Sequence, residues 1–391
     1  MQWFKEKENR LALFLTFLLL VMHLIIINRP GEMVFDETHY VNEANSIIAG
    51  EGLLHPEHPS LGKLFIALGI LLFGNKAFGW RIFSVLFGVT SILLFYLISQ
   101  KLTTKRWVPI LATFIFAFEN LNFVQASVAM LDVFSVTFML ASFLLFLKGK
   151  YLPAGVAVAL SALAKLPGAF GAGTILLYWL FTKRKPILNG LKFLISAPLA
   201  FLALMPLVDY LATGHFLYPW ERIWYMLTTH ASLTFATTTH GGASRPWDWI
   251  IFPKVVAYWW NPLYLGVISW TLWALIVPAV GFMIYEIKKR DEFNFCLFSL
   301  FWFLSTYLVW IPIELVTNRI MFVFYFYPTI GAICLAVGLG LQELLAISAK
   351  TNKKLRWSIR ILASIWLIAH VVILLLITPL CSSIIITRFT G

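Results

Sequence analysis

Long apolar runs alternate with short polar connections along this chain, and the length of the runs indicates the solvent it is built for. A hydrocarbon core of roughly 30 Å takes about 20 apolar residues per helix. About eleven spans fit, over Leu11–Asn28, Ala77–Ser99, Trp107–Phe118, Leu131–Leu147, Tyr151–Ala164, Gly168–Thr182, Leu191–Val208, Pro262–Ile287, Phe293–Trp310, Arg319–Ile347 and Ile359–Leu380. The expected architecture is an all-α polytopic membrane protein, one membrane-embedded domain over residues 1–391. Two connections, 29–76 and 209–261, are too long to be mere links. Loops beyond about 15 residues are usually functional or disordered, and the aromatics and His in these two argue against disorder. In the first, "DETHYVNEANSIIAG" reads as a short amphipathic helix ending at Gly50. "LGKLFIALGILLFG" is apolar but too short to span, so it is expected to lie in the interface.

Composition agrees. The 391 residues are 60% hydrophobic and 12% charged, and the mean hydropathy of +0.84 lies outside the range of soluble domains. Charge then assigns sides, because cytoplasmic loops keep Lys and Arg. With the amino terminus inside, Lys5, Lys7, Arg10, "KLTTKR", "KGK", "KRKPILNGLK", "KKR" and "KTNKKLRWSIR" all fall inside, 20 of the 30 Lys and Arg. The other connections hold 12 of the 18 acids, so the alternation supports the expected topology. The net charge of +12 reports this sidedness and contact with anionic lipid, not nucleic acid. No small-residue cleavage site precedes "NRPGE", and the first span reads as a retained anchor. Cys296, Cys334 and Cys381 form no disulfide or metal spacing.

Ionisable groups recur where the outer connections meet the spans: Asp36 and Glu37 in "VFDETHY", His58 and Lys63 in "HPEHPSLGK", Arg81, Asp132, Lys165, His240, Arg245 and Arg319. Such groups near membrane depth are costly and tend to be paired or functional. If the helices form one bundle, they converge on one cavity at the outer face. Carboxylates beside several cations at a lipid surface suit a phosphate-linked leaving group on a lipid carrier: Lys and Arg bind the phosphate, and a carboxylate removes the proton of an acceptor hydroxyl. Each residue also has a plainer reading. Asp36 and Asp132 suit helix N-caps, Glu37 a first-turn dipole partner, Lys63 and Arg81 snorkelling cations, and His58 and His240 turn residues. "WDWIIFP" and "YWW" read as interfacial aromatic belt.

Seven blocks, "FDETHY", "HPSLGK", "FGWRI", "AMLD", "LSALAKLPG", "HGGASRPWDW" and "RIMFVFYFYP", resemble in order those of the protein O-mannosyltransferases, over about Phe35 to Pro328. More distantly they are similar to the aminoarabinose transferases that act on lipid A. The chain departs from the family pattern at Ser60, where a second Pro is usual, and in "ASVAM", which lacks an Arg.

The resemblance implies the GT-C membrane glycosyltransferase fold and transfer of a sugar, mannose by analogy, from a polyprenyl-phosphate donor to a hydroxyl acceptor, with inversion. Asp36 is the expected general base; Glu37 and Asp132 orient the acceptor or hold a divalent cation such as Mg or Mn. Lys63, Arg81, Lys165, Arg245 and Arg319 are candidates for the donor phosphate, with His58 and His240 beside them; not all can reach it. The bilayer and the lipid-linked sugar are the expected partners, and the expected site is extracytoplasmic in the cell membrane. Two alternatives remain: a glycolipid- or lipid-A-type transferase, and a multi-span transporter.

Overall fold

A computed structural model describes residues 3–182, 186–237 and 239–381; Lys183, Arg184 and Lys185 of the basic connection lie outside the described residues. Helix α1 (Lys7–Ile26) is followed by α2 (Glu37–Ala49), α3 (Leu61–Phe73), α4 (Ala77–Leu102), α5 (Val108–Ala117), α6 (Asn120–Ser127), α7 (Leu131–Leu147) and α8 (Tyr151–Ala164). A tight turn, Leu166–Phe170, leads into α9 (Gly171–Phe181), α10 (Ile187–Thr213), α11 (Pro219–Ser232) and the single turn α12 (Asp248–Ile251). A hairpin, β1 (Val255–Trp259) and β2 (Tyr264–Val267), precedes α13 (Trp270–Trp273), α14 (Ile276–Lys289), α15 (Phe293–Phe303), α16 (Trp310–Thr317), α17 (Tyr327–Ala349) and α18 (Lys353–Leu376).

Among the described residues, six helical stretches are long and apolar enough to cross a membrane: Lys7–Ile26, Ala77–Leu102, Ile187–Thr213, Phe293–Thr317, Val323–Ala349 and Lys353–Leu376. Helices α5 and α6 pass the same test as a pair bent by 57°. The expected spans over Leu131–Leu147 and Tyr151–Ala164 are shorter apolar helices, as is Leu166–Phe181. The protein is an integral membrane protein.

The expected span over Pro262–Ile287 is corrected. Its first half folds as β2 and α13, and only Ile276–Lys289 is a full helix. The first half is apolar because β2 is buried inside the protein, with Tyr264 1% and Val267 0% exposed. A short apolar run does not distinguish a buried strand from a helix.

Helix α7 is the buried axis; nearly every side chain from Leu131 to Phe143 is enclosed. Every residue of α6 is buried too, and its start is fastened to the strand region. Glu119 accepts from the Asn122 and Ser269 backbone N–H groups at 3.0 and 2.9 Å, and Asn120 Oδ1 accepts from Val267 N–H at 2.8 Å. Helix α2 ends as expected at Gly50, whose φ of 74° closes the helix in the left-handed region.

Candidate active site

The charged groups at the Asp36 end of the bundle are mostly paired with one another. Arg81 faces Glu37 with two parallel bonds, Nε to Oε1 at 2.8 Å and Nη2 to Oε2 at 2.7 Å. Its other donors reach the carbonyls of Ile27, Pro30 and Glu32 at 3.0, 2.7 and 2.9 Å, so all five guanidinium N–H groups are occupied. Glu37 also accepts from the Val34 and Ala129 backbone N–H groups at 3.0 and 2.7 Å. This pair ties α1, α2, α4 and the start of α7 together and leaves no donor for a phosphate.

Lys63 is likewise filled: its ammonium meets Glu43 at 2.8 Å and the carbonyls of His55 and His58 at 2.5 and 3.2 Å. The His58 carbonyl also accepts from Arg222 at 3.0 Å, and the His58 ring rests edge-on against Tyr40. Arg222 in turn pairs with Asp209 at 3.2 Å, joining the two long connections. Arg245 pairs with the buried Glu314, donates to Asn318 Oδ1 at 3.2 Å and lies over the Phe235 ring.

Asp36 differs. It stands at the head of α2 but makes no side-chain cap bond, and no hydrogen bond or ion pair to its carboxylate is found among the described residues. Its electrostatic neighbours are Lys165, His39, Asp132 and His240. Burial pushes the carboxyl above its ordinary range, with Lys165 the strongest opposing influence. The preceding residue is held in an uncommon conformation: Phe35 has φ 49°, which costs a non-glycine residue about 1–2 kcal/mol. Its ring packs against Tyr258 at 4.8 Å, Phe324 at 5.7 Å and His240 at 5.8 Å. That aromatic cage holds the turn that sets Asp36 in place. His240 is exposed, with Nδ1 accepting from Gly242 N–H at 3.1 Å.

Two cations stand by. Lys165 bonds Asp132 at 2.7 Å and lies 5.3 and 5.4 Å above the rings of Phe324 and Tyr325. Among the described residues the Arg319 side chain donates only to Tyr325 Oη, at 3.4 Å, and its buried Nε has no partner. Lys165 is positioned by the tight turn after α8. A Cβ at Gly168 would lie 2.3 Å from Ser161 Oγ and 2.4 Å from Ser135 Oγ, so only glycine lets the turn press onto α7 and α8.

The structure thus gathers Asp36, Asp132, Lys165, His240 and Arg319 in one neighbourhood and engages Glu37, Lys63 and Arg81 in fastening the fold. Sequence reasoning missed Tyr258 and Tyr325. Tyr325 sits inside the quoted "RIMFVFYFYP" block, where aromatic spacing alone gave no hint that it touches two cations. Trp249 of "WDWIIFP" is core, 0% exposed and bonded to Ser244, whereas Trp260 is 75% exposed as a belt residue would be. Mg or Mn fits this donor set poorly. Asp132 already holds Lys165, and among the described residues no three His, Cys, Asp or Glu side chains gather to hold a metal.

Comparisons with known proteins give both family and fold. A polyprenol-phosphate-mannose–protein mannosyltransferase of Mycolicibacterium smegmatis is 32% identical over 119 residues, 29% of this chain and 23% of that protein. An undecaprenyl phosphate-alpha-4-amino-4-deoxy-L-arabinose arabinosyl transferase of Pseudomonas aeruginosa is 30% identical over 120 residues, 29% of this chain and 22% of that protein. These matches span less than a quarter of either relative. The Saccharomyces cerevisiae protein O-mannosyltransferase Pmt1–Pmt2 complex bound to the sugar donor superposes with a TM-score of 0.77 at 13% identity, over 99% of this chain and 92% of that one, and gives the GT-C fold. The dolichyl-phosphate-mannose-protein mannosyltransferase family model matches residues 13–78 and 73–217, just over half of the sequence, and the chain belongs to that family.

Proposed function

We propose that this protein transfers mannose from a polyprenyl-phosphate carrier to a hydroxyl of a protein acceptor, with inversion, on the side of the cell membrane away from the cytoplasm. The observation that carries the reading is the state of Asp36. It is the one of the three expected carboxylates without a hydrogen-bonded partner among the described residues, whereas Glu37 and Asp132 are paired with Arg81 and Lys165. Family membership and the names of the relatives supply the donor and acceptor classes.

In the proposed reaction the acceptor hydroxyl gives its proton to Asp36 as its oxygen attacks the anomeric carbon. The bond from that carbon to the phosphate oxygen breaks on the opposite face, and polyprenyl phosphate leaves as the anion. Lys165 and Arg319 stabilise the charge that develops on the leaving oxygen. A carboxylate whose proton affinity is raised by burial is a better base once ionised. No general acid is required, because a phosphate ester leaves readily. The two long connections, 29–76 and 209–261, build the catalytic face in this reading.

Incubation of the purified protein with polyprenyl-phosphate-mannose and hydroxyl-bearing peptides, followed by mass analysis, tests it. A peptide gaining one hexose supports the reading, and the absence of any mannosylated product from peptide or lipid sinks it. A second reading, a lipid acceptor, rests on the similarity to the arabinosyl transferase. Lipid acceptors in the same assay separate the two.

A further inference from the structure

Trp310 and Glu314 carry two buried polar atoms that no other group among the described residues engages. They stand one turn apart on the inward face of α16, 4% and 1% exposed, while Leu315 and Val316 on the other face are 68% and 84% exposed. Glu314 Oε1 holds Arg245, but Glu314 Oε2 and Trp310 Nε1 have no hydrogen-bond partner among the described residues. The Trp310 ring stacks on Tyr325 at 4.9 Å. The same Tyr325 lies beneath Lys165 and accepts from Arg319. The ring that bears the vacant N–H therefore stacks on the tyrosine shared by the two cations proposed to meet the donor phosphate, and the vacant carboxylate oxygen lies one helical turn further along α16.

We infer that Trp310 Nε1 and Glu314 Oε2 are the hydroxyl-reading subsite for the donor's sugar, an inference that rests on the proposed transfer from a lipid-linked sugar. A hydroxyl is the group that both accepts from an N–H and donates to a carboxylate, and a hexose ring presents several side by side. A phosphate is excluded, since its charge would face that of Glu314. An isoprenoid tail is excluded as well, because it would leave both polar atoms unpaired in an apolar contact. The phosphate thus belongs at Lys165 and Arg319, with the sugar against α16.

Binding of a short-chain polyprenyl phosphate, with and without mannose, to the full chain in lipid nanodiscs tests the subsite. Trp310→Phe keeps the ring and removes the donor; Glu314→Gln keeps an acceptor for Arg245 and removes the charge. The wild type is expected to bind the mannosyl carrier more tightly than the bare carrier. Each variant is expected to lose about five- to tenfold in affinity for the mannosyl carrier, the scale of one lost buried hydrogen bond, while holding the bare carrier unchanged. Wild-type affinity for the mannosyl carrier in both variants overturns the subsite, as does equal loss for both ligands, which would mark a role in phosphate binding or in the fold. A wild type that does not distinguish the two carriers strikes the lipid-linked donor itself, so failure of the underlying reading is told apart from failure of the subsite.

Discussion

Asp36 and Arg319 are available because their neighbours are not. Arg81, Lys63 and Lys165 each meet a carboxylate, at 2.7, 2.8 and 2.7 Å, and of the expected Asp, Glu, Lys and Arg site residues, Asp36 and Arg319 are left without a countercharge in hydrogen-bond contact among the described residues. Asp36→Asn keeps the shape but cannot accept a proton, so transfer should fall by about 10² to 10⁴ with the fold and donor binding intact. Activity within tenfold of wild type would remove Asp36 as the base. Its pH dependence has a definite sign. Only the ionised form works, and burial raises the proton affinity, so kcat/KM should climb with pH along a limb centred above the ordinary aspartate value of about 3.9. The groups that face it, Lys165, His39, His240 and Asp132, modulate that limb, and a profile already flat at pH 4 would contradict the argument. The two arginines should separate in the same spirit. Arg319→Ala should raise KM for the donor and leave thermal stability near wild type. Arg81→Ala strands Glu37 in a site with 0% exposure and should destabilise by about 3–5 kcal/mol, read as a lower melting temperature. Residue types at this face were legible in the sequence, but pairing was not, since Glu37 and Arg81 are 44 residues apart and Arg245 and Glu314 are 69.

At the scale of elements, what could be read was governed by period and punctuation. Helix α2 was legible because polar and apolar positions alternate with helical spacing up to a glycine that can adopt φ 74°. The β1–β2 hairpin was hidden because β2 is enclosed on both sides, and its residues then carry no polar alternation to mark a strand. The turn that carries Lys165 shows how an element positions chemistry without touching it. Gly168→Ala would set a methyl within 2.5 Å of Ser161 O as well as the two hydroxyls. Overpacking of this kind costs about 1–3 kcal/mol, and relief by lifting the turn would draw Lys165 from Asp132. The expected result is a modest drop in melting temperature with a larger loss of donor affinity. A variant that loses stability alone would show that the turn does not govern the lysine.

The proposed reaction requires the whole molecule to place its catalytic face where a lipid-linked sugar can be presented, and the basic and the acidic connections fall at opposite ends of the bundle. Lys105 bridges Asp291 and Glu343 at the end bearing the amino terminus, at 3.4 and 2.5 Å, and Arg106 pairs there with Glu8. The connections at that end hold most of the Lys and Arg, the pattern expected of connections kept on the cytoplasmic side. Asp36 lies at the other end, just before α2, where in the proposed reaction the base would meet carrier phosphate and acceptor hydroxyl at the bilayer surface. Glu51 and Lys288 are both exposed and belong to opposite ends. With Cys296, Cys334 and Cys381 replaced, Glu51→Cys should react with a membrane-impermeant thiol reagent added to intact cells. Lys288→Cys should stay protected until the membrane is opened. Labelling of the Lys288 variant from outside, with the Glu51 variant protected, would turn Asp36 toward the cytoplasm, where nucleotide sugars are at hand and a lipid-linked donor would no longer be needed to explain the charge at this face.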